Sequence, residues 1–381
     1  DDLLDGGIGN DVIYAGAGND LLIGGTGNDT LYGGQGNDTY QFQKGDGIDM
    51  VIDSSDTYYG PGGGAADKVR FLDVRSTEVT ALRSYSTLIL NYGTDQLTIN
   101  DQFGSTPQIE RIEFSDGVSW DLAAMQAAVT VLGTSANNSL SGLEVADRMY
   151  GLEGNDTLAG AGGDDLLDGG TGADSIYAGS GNDLLIGGTG NDLLYGGQGN
   201  DTYQFQKSDG IDTINDGTDT YYGPGGGAAD KVRFLDVRST EVTALRNNST
   251  LILNYGTDQL TINDQFGSTP QIERIEFSDG VSWDLAAMQV AVSVIGTSAN
   301  DNLSGLEVAD RMYGLVGNDT LAGAGGDDLL NGGDGNDNLN GGAGNDLLEG
   351  GNGIDILTDT AGTSLFNAGA GTDTITGGGS A

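Results

Sequence analysis

The 381-residue chain has no cysteine and no histidine, only 4 prolines, and 14 Lys plus Arg against 57 Asp plus Glu. Without cysteine there is no disulfide framework and no thiol chemistry, which fits a reduced or an oxidising compartment equally. Without histidine the commonest general base is missing, and no GK[ST] stands ready for a phosphate loop. A formal charge of -43 makes nucleic acid and anionic membrane surfaces poor partners, because both are polyanions that call for Lys and Arg clusters. The longest mostly apolar run, LAAMQAAVTVL at 122–132, falls well short of the about 18 residues a membrane span requires. Cations are the natural counterpart of such a chain.

What is abundant is glycine, with 69 residues, and aspartate, which outnumbers glutamate 47 to 10. They recur with a period of nine, as in GGIGNDVIY, AGAGNDLLI, GGTGNDTLY and GGQGNDTYQ at 6–41. Further blocks fill 133–204 and 296–376, giving 21 complete units, of which 19 have Asp at position six, Asn138 and Ser364 being the exceptions. Position eight is apolar throughout, as in Ile13, Leu22, Leu167, Ile176, Leu194, Leu330 and Ile375. A longer repeat of 163 residues lies on top, since Pro61, Trp120 and Met149 return as Pro224, Trp283 and Met312. Residues 43–132 and 206–295 differ at 11 of 90 positions. The organisation is a roll at 1–42, incomplete at its start, a β-rich module at 43–132, a roll at 133–205, a second module at 206–295 and a roll at 296–381.

Six turn residues followed by three with one inward apolar side chain describe a tight loop and a very short strand. Two units complete an 18-residue coil, and coils stack in parallel about 4.8 Å apart with position eight in a continuous apolar column. The same stacking sets Asp165 beside Asp183 and Asp183 beside Asp201. Two such charges about 5 Å apart repel by about 3 kcal/mol at an effective dielectric near 20. A cation between successive loops reverses that sign, and calcium, with six to eight oxygen ligands in irregular geometry, fits best. No D-x-D-x-D-G loop with a twelfth-position Glu occurs, so an EF-hand is excluded.

The nonapeptide resembles the GGxGxDxUx repeat of the repeats-in-toxin (RTX) family, whose fold is a parallel β-roll. The resemblance implies an all-β fold of roll blocks, a parallel β-helix or solenoid, alternating with small β-rich modules. It also implies calcium held by position-six aspartates and by turn carbonyls of successive coils. On that basis the ligand aspartates are Asp2, Asp11, Asp20, Asp29, Asp38, Asp156, Asp165, Asp174, Asp183, Asp192, Asp201, Asp319, Asp328, Asp337, Asp346, Asp355 and Asp373. The turn glycines that go with them are Gly7, Gly9, Gly16, Gly18, Gly25, Gly27, Gly34 and Gly36 in the first roll. In the second they are Gly170, Gly172, Gly179, Gly181, Gly188, Gly190, Gly197 and Gly199, and in the third Gly333, Gly335, Gly342, Gly344, Gly351 and Gly353. The expected ion count is on the order of a dozen. The units at 133–150 and 296–313 lack the position-four glycine and carry Arg148 or Arg311 beside Asp147 or Asp310, so they read as caps with poor calcium sites. Ser364 weakens its own site in the same way.

In the modules, DKVRF at 67–71 and STLILNY at 86–92 alternate as half-buried strands. Asp116-Gly117 is a hairpin turn between Phe114 and Val118. Asp121 caps a short helix over LAAMQAAV. From DKVRF to FSDGVSW the module is similar to the haemolysin-type calcium-binding-related domain, which implies an accessory role between rolls. YQFQKGDGID resembles the segment that closes RTX rolls, with Tyr40, Phe42, Tyr203 and Phe205 covering the last apolar coil. Glu110, Glu113, Glu273 and Glu276 flank Arg111 or Arg274, a surface ion-pair pattern rather than a glycosidase pair. No enzyme is expected.

The resemblance further implies export through a one-step (type I) secretion channel and folding in external calcium, in a secreted, extracellular or cell-surface setting. The expectation is a calcium-binding structural protein that belongs to a surface filament, surface layer or adhesin and possesses a capacity to self-associate. One alternative is the non-catalytic region of a secreted toxin or hydrolase. Another is that the modules bind surface polysaccharide through Tyr58 and Tyr59 in TYYGPGGGAAD, although a plain connecting loop is the simpler reading. The chain opens inside a repeat and closes in GGGSA, which reads as an internal fragment of something longer.

Overall fold

A computed structural model describes residues 1–53, 66–216, 229–267 and 269–377. The chain is all-β, with parallel β-roll blocks alternating with small β-rich modules. It comprises two compact units, 1–168 and 169–381. In the first, successive nonapeptides place strands on alternate faces. Leu3–Asp5, Leu21–Ile23 and Thr39–Phe42 pair side by side on one face, and Val12–Ala17 with Thr30–Gln35 on the other. All are parallel at a register of 18, Leu4 opposite Leu22 and Ile13 opposite Leu31.

The three-residue strands expected from the pattern are in places six residues long. Val12–Ala17 and Thr30–Gln35 continue into the first three positions of the next unit, where Gly16 pairs with Gly34 and Ala17 with Gln35. Glycine makes this extension feasible. A β-carbon on Gly34, where φ is +99°, would collide with the Gly16 carbonyl of the preceding coil, so the backbones approach only without one.

The module at 43–132 enters these same sheets. On one face Thr39–Phe42 pairs with Lys68–Phe71, that strand with Arg111–Glu113, and a short antiparallel strand at Ser119–Trp120 ends the series. On the other, Thr30–Gln35 pairs with Ile48–Val51, which pairs with Asp95–Ile99. An antiparallel meander through Thr87–Tyr92 and Thr80–Ser84 follows, and Thr130–Leu132, Arg148–Tyr150 and Leu166–Thr171 resume the parallel stacking. One face therefore closes in the module while the other passes through it.

The packing follows the sheets. Leu22, Leu31, Tyr40 and Phe42 of the roll share one buried core with Val69, Phe71, Leu88, Leu90 and Ile112 of the module. Each such side chain contributes about 1.5 to 3 kcal/mol by leaving water. Asp121 Oδ1 accepts the Ala124 N–H at 2.9 Å and so starts the helix Leu122–Ala128, which buries Met125. Phe114 donates its N–H to the Val118 carbonyl at 2.9 Å across the Asp116-Gly117 turn, as the hairpin requires.

Residues 169–381 repeat the scheme. Ser175–Ser180, Leu193–Gln198 and Ile211–Ile214 lead into the meander of 243–262 and out through Ser293–Ile295 to Arg311–Val316. Met312, Leu321, Leu330, Leu339, Leu348 and Leu357 form the apolar column of the last roll. That column runs out at its far end, where Ile375 is exposed.

Candidate metal centre

The position-six aspartates lie inside the fold. Asp20, Asp29, Asp38, Asp156, Asp165, Asp174, Asp183, Asp192, Asp201, Asp319, Asp328, Asp337, Asp346 and Asp355 are buried, whereas Asp2 is exposed and Asp11 and Asp373 are half-buried. One oxygen of each stacked carboxylate is used between coils. Asp29 Oδ1 accepts the N–H of Asp11 at 2.8 Å, Asp38 Oδ1 that of Asp20 at 2.7 Å, Asp337 Oδ1 that of Asp319 at 2.8 Å and Asp355 Oδ1 that of Asp337 at 2.9 Å. In ten of the position-six aspartates the second oxygen has no hydrogen-bond donor. Oδ2 of Asp11, Asp20, Asp29, Asp38, Asp192, Asp319, Asp328, Asp337, Asp346 and Asp355 is buried in this condition.

These oxygens look onto space kept open by glycine. A β-carbon on Gly6 would stand 2.8 Å from Asp11 Oδ2 and 2.7 Å from the Gly24 carbonyl oxygen, one coil on. On Gly332 it would collide with Asp337 Oδ2 and lie 2.7 Å from the Gly350 carbonyl. These loops thus bring a carboxylate oxygen and a carbonyl from the next coil to one place, a set of hard donors that fits calcium. All the turn glycines anticipated at positions two and four have positive φ, from +90° at Gly7 to +149° at Gly190.

Buried carboxylates without a counter-charge hold their protons more tightly. Burial pushes Asp192 and Asp328 up to about 7, and raises Asp337 and Asp346 as well. The N–H donated from the preceding coil pulls each back only in part.

The aspartate ladder continues into the module at spacings the nine-residue period conceals. Asp49 Oδ1 accepts the N–H of Asp29, 20 residues earlier, at 3.0 Å. Asp67 Oδ1 accepts that of Asp38, 29 residues earlier, at 2.6 Å. Glu110 Oε2 in turn accepts from Asp67 at 2.7 Å. Asp212, Asp230 and Glu273 repeat these contacts in the second module. Glu110 therefore ends a ladder, while Glu113 is the partner of Arg70 at 3.2 Å. Nine-residue counting misses all of these. The signal for Asp49 was the GDGID loop, in which Gly47 bridges to Gly27 as a position-four glycine would.

A second ladder runs the other way along the loop rims. Asn10 Oδ1 accepts the N–H of Asn28 and Asn19 Oδ1 that of Asn37, both at 2.9 Å. It accounts for the Asn in GND.

The cap units differ in kind. Asp147 Oδ2 is taken up within its own loop by the Leu143 N–H at 2.5 Å, and Asp310 Oδ2 by that of Leu306 at 2.6 Å, while Oδ1 of each is buried without a donor. A buried arginine from each meander, Arg83 or Arg246, lies near enough to lower the pKa of Asp147 or Asp310 against the upward push of burial. Ser364 Oγ accepts the Asp346 N–H at 2.9 Å, so it keeps the ladder without supplying charge. Tyr58, Tyr59 and most of their loop, with the copy at 217–228, lie outside the described residues.

Stacked coils, an apolar column and a ladder of half-satisfied aspartates define a calcium-binding parallel β-roll. The chain belongs to the RTX calcium-binding nonapeptide repeat family, which matches at 5–40, 16–49, 132–167, 168–203, 295–330, 313–348, 323–357 and 349–381, more than half of its length. The haemolysin-type calcium binding protein related domain matches residues 87–124 and 250–287, which begin at the second strand of the meander in each module. No curated protein matches the chain. Among solved structures, the extracellular lipase LipA from Serratia marcescens is similar at 20% identity over 65% of this chain and 38% of its own, with a TM-score of 0.20. The chain spans well under half of that lipase, and at that score the likeness bears no weight here. Among the described residues no helix is long and apolar enough to cross a membrane, which says nothing of β-barrels.

Proposed function

We propose that this is a secreted protein whose rolls fold when they meet calcium outside the cell, and that it serves as a structural element of a surface filament, surface layer or adhesin with no catalysis of its own. In this reading the buried position-six aspartates and the turn carbonyls are the calcium ligands. The observation that carries it is the row of buried carboxylate oxygens without donors. An ion that binds the folded state almost alone supplies folding free energy directly. Glycine and repelling charge keep the metal-free chain unfolded, which suits passage through a narrow channel. Sheets that pass through a module within each unit suit a role as a stiff element.

The test is a calcium titration followed by far-ultraviolet circular dichroism and electron microscopy, with magnesium as control. Calcium-specific folding followed by ordered fibres or sheets supports the whole reading. Folding to monomers removes the assembly part, and a chain already folded in chelator removes the calcium-driven part.

A further inference from the structure

We propose that Asp38, Asp53 and Asp67 form a distinct calcium site that only the module completes, and that Asp201, Asp216 and Asp230 repeat it. The proposal rests on calcium binding by the rolls and adds a site outside their nonapeptide pattern. The last nonapeptide of the first roll has no successor 18 residues on. Its Asp38 is met instead by Asp67 from the module, and by a third carboxylate, Asp53, from the segment between. One oxygen from each of the three lies within 4.8 Å of the others, and all three residues are 1% exposed or less.

The arrangement holds its oxygens toward one point. Tyr40 donates its phenol O–H to Asp53 Oδ1 at 2.5 Å, and the Asp53 N–H donates to Gln108 Oε1 at 3.0 Å, which fixes the Asp53 carboxylate. Oδ2 of Asp38 and Oδ2 of Asp53 remain buried without a donor. Gly33 leaves the room: a β-carbon there would lie 2.6 Å from Asp53 Oδ1 and collide with Asp38 Oδ2 and the Tyr40 hydroxyl. Gly196, Tyr203 and Asp216 reproduce the cradle in the second unit. The charged groups that bear most on Asp53 are Asp67 and Asp38, both of its own sign.

Three carboxylates with no nitrogen or sulfur donor select a hard cation, and calcium tolerates their uneven placement better than magnesium. A regular loop contributes one carboxylate from each of two coils. The junction contributes three, so it binds more tightly and couples the module to the last coil of the roll.

The test uses the full chain carrying Asp53→Asn and Asp216→Asn, which keep an oxygen for the tyrosine O–H. Calcium is counted by equilibrium dialysis and elemental analysis. The expected result is two fewer tightly held ions per chain, with the weaker sites unchanged. An unchanged count and affinity, as shared protons in place of an ion would give, overturns the proposal while leaving calcium binding by the rolls intact. A parent chain that binds no calcium overturns the calcium reading itself. Should the variant fail to fold, Tyr40→Phe with Tyr203→Phe is loaded with terbium. Loss of the tyrosine-sensitised emission that saturates first supports the site, and unchanged emission overturns it.

Discussion

At the scale of single residues, the decisive asymmetry is between the two oxygens of one aspartate. Asp337 Oδ1 is held by the Asp319 N–H, while Oδ2 is buried with nothing to accept from. Asp337→Asn separates the two roles. Its Oδ1 still accepts from Asp319, but one charge is gone. We expect isothermal titration calorimetry to show weaker calcium uptake, and the calcium-free fold to gain up to about 3 kcal/mol from relieved repulsion. A substitution at Gly332 acts differently, because any β-carbon enters the cradle itself.

The elements show how a repeat is started and stopped. In the caps, one aspartate oxygen is taken up inside its own loop, the other is buried without a donor, and a buried arginine supplies positive charge beside Asp147 and Asp310. Arg83→Met removes the buried positive charge that acts on Asp147. Denaturant unfolding in saturating calcium should then show a loss of about 1 to 3 kcal/mol. At the far end of the last roll the physics reverses. Ser364 carries no charge, Phe366 is only half-buried and Ile375 is exposed. Amide exchange should therefore be fastest at Leu365–Ala370 and Thr374–Thr376 and slowest near Leu339, with protection rising along the column.

For the whole molecule, protons and calcium compete for one set of oxygens. In the metal-free fold, burial pushes Asp38 up to about 6 and Asp49, Asp192, Asp212 and Asp328 up to about 7. Unfolded aspartates titrate near about 3.9. The metal-free fold thus holds more protons than the unfolded chain between those values, and its stability falls as pH rises through about 6 to 7. Calcium-free protein should be most ordered in mild acid and least ordered above neutrality. With calcium present the trend inverts, and the calcium concentration at the folding midpoint should rise as pH drops from about 8 to 6. Circular dichroism across pH, with and without calcium, checks both signs.

Most of the roll was legible in the sequence because a strictly repeated unit has one way to bury its apolar side chains. Position eight had to face inward, so the register of 18 followed, and with it the stacking of Asp11 on Asp29 and of Asp319 on Asp337. The hairpin at Asp116-Gly117 and the cap at Asp121 were equally local, each written in adjacent residues.

What the sequence by itself determined, then, is the coil, its column and the demand for a hard cation, all consequences of local period and charge. Only the tertiary structure decided where the ladder goes when the period breaks. Asp49, Asp67 and Glu110 replace position six at separations of 20, 29 and 43 residues, and Asp53 reaches Tyr40 over 13. Those distances along the chain are set by how loops close over a shared core. A period of nine holds no information about them.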